Sequence, residues 1–123
     1  MNGSIKMTEN EFLLGGCLEF AWWLALAIGG EVVIASSYEN GEQVSLHAMV
    51  EYGGEYYDVA LRNASYSKAV EHTASLTREF SGVDFDSEYI EIEPYVDQEI
   101  PRRPKLRDKA KRLAKKIAKE IMY

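Results

Sequence analysis

The chain has 123 residues and a mass of 13.9 kDa, enough for one domain with one core and too few for two. Hydrophobic residues make up 46% and charged residues 28%, which excludes a disordered or fibrous chain. Its single cysteine excludes an intramolecular disulfide and a four-cysteine zinc site, and fits a reducing, cytoplasmic compartment. The net charge of -6 hides a division. Residues 101–123 hold ten Lys and Arg against Asp108 and Glu120, whereas residues 1–100 hold four against eighteen acids.

Residues 1–10 are polar and are expected to be loose, with structure starting near Glu9 or Glu11. Phe12 to Gly30 then carries one charge in nineteen residues, Glu19, a length that approaches a membrane span. Trp22 and Trp23 fall near its middle rather than at an interface, and Glu31 follows with no basic flank. Glu9 and Glu11 beside Lys6 also fit a secretory signal poorly. The expectation is no membrane span but a core helix over Cys17–Ile28, apolar on nearly every face and ended by Gly29-Gly30.

The β-branched run Glu31–Ser37 reads as a strand. Asn40-Gly41 is a strong turn signal and leads into Val44–Tyr52, which alternates as a second strand. Gly53-Gly54 makes the next turn, and Glu55–Leu61 pairs back as a hairpin. Residues 65–80 have helical spacing, with Gly82 as a stop. Tyr89–Glu93 alternates as a fourth strand, ended by Pro94. Pro101 and Pro104 bracket a linker. From Lys105 the spacing of Leu106, Ala110, Leu113, Ile117 and Ile121 predicts an amphipathic helix. The fold class is therefore α+β: a buried N-terminal helix on a small antiparallel sheet, a second helix, and a basic amphipathic C-terminal helix. Residues 1–100 form the domain, and 101–123 are a helix docked on it.

Three residues could perform chemistry together. Cys17 follows two glycines at the start of the first helix, where unpaired N–H groups and the helix dipole favour a thiolate. A cysteine nucleophile needs a base, and His47 lies on the second strand. A base needs an orienting group, and Asp58 lies on the paired strand. If Gly53 and Gly54 are the turn residues, Tyr52 pairs with Glu55. His47 and Asp58 are then diagonal neighbours on one face, within reach of a hydrogen bond. The competing reading makes Cys17 a buried small hydrophobe, His47 a satisfied sheet histidine and Asp58 a hairpin closure.

The Cys17 helix start, His47-Ala-Met-Val-Glu51 and Gly54-Glu-Tyr-Tyr-Asp58 resemble the transglutaminase-like branch of the papain-like cysteine hydrolases. The resemblance covers residues 15–61. It implies Cys17 as nucleophile, His47 as base and Asp58 as orienter, acting in acyl transfer or amide hydrolysis on a protein or peptide, with no cofactor.

Other motifs are weaker. Asp84-Phe-Asp86-Ser-Glu88 begins like a calcium loop, but Tyr89 stands where glycine is needed. A zinc site would need Cys17, His47 and His72 to meet, and no metal-binding spacing supports it. His72 reads as a surface residue. No glycine-rich phosphate loop is present.

The C-terminal segment carries Arg102, Arg103, Lys105, Arg107, Lys109, Lys111, Arg112, Lys115, Lys116 and Lys119. These could contact a nucleic acid, another polyanion or an acidic protein partner. The blander expectation is self-docking, with the Leu/Ile stripe on the sheet and the lysines facing the acidic stretch 84–99. The alternative to an enzyme is thus a binding or inhibitor protein of the same fold, working through an acidic body and a basic helix.

Overall fold

The computed structural model describes residues 16–39, 41–96 and 104–122. Asn40, Arg102, Arg103 and the expectations for residues 1–10 and the linker after Pro101 lie outside them, as does the side chain of Lys105. The elements in chain order are helix α1 (Cys17–Ile28), strands β1 (Glu31–Glu39), β2 (Glu42–Tyr52) and β3 (Glu55–Tyr57), helix α2 (Tyr66–Ser81), a 3-10 turn (Ser87–Tyr89), strand β4 (Ile90–Pro94) and helix α3 (Pro104–Met122). The fold is α+β, and its sheet is antiparallel throughout in the order β3-β2-β1-β4.

Alternation along the strands divides the core between the two faces of the sheet. Ala48 and Val50, with Val32 and Ile34 beside them, pack with Phe20, Ala21, Leu24, Ala25 and Ile28 of α1. Val33, Ala35 and Met49 belong to the second cluster, with Ala69 and Val70 of α2 and Ile90 of β4. Helix α1 thus covers one face and α2 the other. The α1 residues in contact repeat at three- and four-residue steps, one stripe of a helix. Leu26 remains 65% exposed, so the helix is not buried on every side as its composition implies.

The backbone approaches closely where α1 turns back onto the sheet. At Gly30 a Cβ atom would sit 2.7 Å from Val50 Cγ1 and 2.8 Å from the Glu51 carbonyl oxygen, so this crossing requires glycine. The expected register holds at the Gly53-Gly54 turn, where Tyr52 pairs with Glu55 and Val50 with Tyr57. Both glycines have positive φ, 61° and 81°, as a two-residue hairpin turn of right-handed twist demands.

Three expectations are corrected. Strand β3 stops at Tyr57 instead of running to Leu61. The Asp58 carboxylate captures the Ala60 N–H, and the Asp58 N–H donates to the Leu61 carbonyl, so a side-chain-capped turn displaces the ladder. β1 and β2 are longer than their apolar runs, because polar pairs such as Tyr38–Gln43 continue the ladder past a register shift between Ala35 and Ser36. Helix α3 packs on α1 rather than on the sheet. Its Ala110, Ala114, Ile117 and Ala118 join the Phe20–Leu24 cluster, the small alanines permitting close approach of the two helices.

Two cations of α3 lie over an indole instead of a carboxylate. Lys111 Nζ is 4.3 Å and Arg107 Cζ 5.8 Å from the Trp23 ring centroid. No helix of the described residues is long and apolar enough to cross a membrane.

Candidate active site

Cys17, the first residue of α1, is half-buried. Gly16 caps the helix with no side-chain hydrogen bond, so the early N–H groups of α1 keep their positive character beside the sulfur. The backbone N–H of Ala48 donates to Cys17 Sγ across 3.4 Å. This contact ties the helix start to β2 one residue beyond His47.

His47 is buried on β2 and donates from Nε2 to Asp58 Oδ2 at 2.6 Å. That bond fixes which ring nitrogen carries the proton when the imidazole is neutral, leaving Nδ1 as the base. Nδ1 is buried and makes no hydrogen bond within the protein, while Cys17 lies beside the imidazole at the wall of the same groove. Burial raises the thiol pKa, but the polar contact and charge of His47 outweigh burial and hold it below its ordinary 9.0. Burial would also lower the imidazole. The hydrogen bond with Asp58 and the contact with Cys17 prevail there and raise it from 6.5 to about 9. The two shifts run in opposite directions, the thiol down and the imidazole up, and both favour a thiolate beside an imidazolium.

Asp58 is 2% exposed and fully engaged. Oδ1 accepts the Ala60 N–H at 2.7 Å, and Oδ2 accepts His47 and also His72 Nε2, the latter at 2.7 Å. Desolvation pushes its carboxyl up, but the two imidazoles overcome this and hold it far below the usual carboxylate range. The turn carrying it is fastened from outside. Arg62 Nη1 donates to the carbonyl oxygens of Asp58 and Leu61 at 2.6 and 3.1 Å, while Nη2 reaches Glu120 Oε2 of α3 at 3.3 Å.

The structure therefore brings all three sequence-predicted residues together. It also brings in three groups not foreseen: His72, the Ala48 N–H and Arg62. The surface expectation for His72 is corrected. Its side chain is 18% exposed and its ring packs edge-on to His47, with centroids 5.8 Å apart. His72 follows Ala69 by three and precedes Leu76 by four, and both are buried. The spacing therefore put it on the inner side of α2.

His47, Asp58 and His72 also have the composition of a metal-ligand set, each offering one atom within 4.8 Å of the others. Both Nε2 atoms, however, sit at hydrogen-bond distance from one oxygen. Tetrahedral zinc, with bonds of about 2.0–2.1 Å, would hold its ligand atoms roughly 3.3 Å apart. The present spacing is that of a carboxylate shared by two N–H donors.

Cys17 and His47 open onto a groove of about 670 Å³. Its other walls include Leu18, Ile34, Ser36, Gln43, Glu93 and Tyr95. A second cavity of about 310 Å³, lined by Trp22, Leu26 and Val32, shares Pro94 and Tyr95 with it. An acyl group entering the groove would meet the thiol from the solvent side, while Asp58 stays behind the imidazole.

No family model, curated protein or solved structure matches this chain. The transglutaminase-like expectation rests on its own residues.

Proposed function

We propose that this protein is a cysteine-dependent acyl-transfer or amide-hydrolysing enzyme, with Cys17 as nucleophile, His47 as acid and base, and Asp58 as orienter. The observation that carries the reading is the chain of contacts from Cys17 through His47 to Asp58, open to a groove at the thiol end and sealed at the carboxylate end. The Cys17 thiolate adds to the acyl carbon and a tetrahedral oxyanion forms near the α1 start. The oxyanion collapses as the C–N bond breaks, and the imidazolium gives its proton to the departing amine. A thioester on Cys17 remains. Water, or an acceptor amine or alcohol, loses a proton to His47 and attacks the thioester; the C–S bond breaks, releasing the acid or the transferred acyl product and restoring the thiolate–imidazolium pair.

p-Nitrophenyl acetate tests this without knowledge of the natural substrate. The expected result is a burst of nitrophenolate with one acetyl group on Cys17 by mass spectrometry. The burst should be lost in Cys17→Ala and strongly slowed in His47→Ala. An unmodified Cys17, or equal acetylation in His47→Ala, would overturn the reading.

One observation favours a second role. Arg107, Lys109, Arg112, Lys115, Lys116 and Lys119 are exposed along α3, which supports contact with a polyanion. Such binding should weaken steeply with salt. Binding that ignores salt would dismiss it.

A further inference from the structure

We infer that His72 is a positioning residue of the same site, a second imidazole that holds the Asp58 carboxylate so that His47 keeps Nδ1 aimed at Cys17. The inference rests on the acyl-transfer reading above and extends it. Asp58 sits just beyond a three-residue strand, on a turn whose own hydrogen bond engages only Oδ1. Oδ2 is the oxygen that orients His47, and nothing in that turn fixes it. His72 does so from a separate rigid element, the sixteen-residue helix α2.

The donor count supports the same role. Three N–H groups, from Ala60, His47 and His72, converge on a carboxylate with no exposure to spare. Hydrogen bonds to an ionised acceptor in such a place are short and strong. If His72 lost its donor, Oδ2 would keep one partner and the carboxylate could rotate about its side-chain bonds. His47 would then lose its fixed direction. Charged groups on neighbouring elements keep other tasks: Cys17 on α1 meets the far side of His47, and Arg62 binds the Asp58 carbonyl rather than its carboxylate. His72 does not itself line the groove; it reaches the site through its hydrogen bond to Asp58 and its edge-on contact with the His47 ring.

The test compares His72→Gln, which can restore an N–H donor, with His72→Phe, which keeps ring bulk and removes it. The readout is the rate of Cys17 alkylation by chloroacetamide at neutral pH. We expect Phe to slow alkylation roughly tenfold, the scale of one charge-assisted hydrogen bond, and Gln to recover most of the rate. A Phe variant as reactive as the parent, or Gln no better than Phe, would overturn the inference. If the Phe variant fails to fold, proton NMR of the parent decides: two downfield imidazole N–H resonances in mutual contact support it, and one alone overturns it. His47→Ala in the same assay separates the two readings. Unchanged alkylation there sinks the triad itself, whereas slowed alkylation with an indifferent His72→Phe sinks only the role of His72.

Discussion

The backbone N–H of Ala48 donates to the Cys17 sulfur, so the thiol is held by the strand that carries His47. A thiolate accepts that bond better than a thiol, and the contact helps lower the Cys17 pKa, after the larger effects of burial, which opposes it, and of His47. The contact ties the start of α1 to β2 beside His47.

The alkylation rate of Cys17 against pH should show an inflection below the ordinary thiol value of 9.0. Removing His47 should move that inflection upward, since burial then acts unopposed by the imidazolium. Steps that need the His47 proton should fail as pH rises through about 9. A parent inflection at or above 9.0 would contradict the ion pair.

Asp58→Ala should be costly to the fold. It leaves the donors of His47, His72 and Ala60 without their acceptor, and the loss expected from breaking such a buried pair is about 3–5 kcal/mol. Urea unfolding of parent and variant measures it.

Acid should act through the same carboxylate. A carboxyl held below its ordinary 3.8 stabilises the fold above that value, and this contribution drains away as pH falls through the lower folded pKa. Between pH 5 and pH 2 the parent should therefore lose more stability than Asp58→Asn. A parallel loss in both proteins would count against the assignment.

Gly30→Ala should destabilise by about 1–3 kcal/mol through overpacking, because Val50 and the Glu51 carbonyl occupy the space a methyl needs. Thermal unfolding reports it. The substitution lies at the far end of α1 from Cys17, so the folded variant should keep the thiol reactivity of the parent.

The hairpin is legible because Gly53-Gly54 sets its register, and that register brings Asp58, one residue past the end of β3, near His47. The α1 stripe and the alternation of β2 were legible for the same reason: burial writes periodicity into sequence. The short β3 was not, since the turn is decided by a carboxylate that competes with the ladder, and Val59-Ala-Leu61 looks like strand. The docking of α3 was misjudged because an apolar stripe says that a surface will be covered but not by what. Helix α1 offers a second apolar face, and the alanines of α3 fit it. His72 was overlooked although its spacing placed it with Ala69 and Leu76. A histidine among polar neighbours reads as surface until the aspartate opposite it is known.

The Arg62 bridge and the α1–α3 packing make two segments distant in sequence depend on each other. The helix that bears Cys17 is synthesised before residues 104–122, which supply the layer over Phe20 and Leu24 and the Glu120 that grips Arg62 above Asp58. A growing chain therefore displays its cysteine long before the outer wall and the strap on the aspartate can close. The cover over the candidate site thus comes from a segment synthesised well after Cys17.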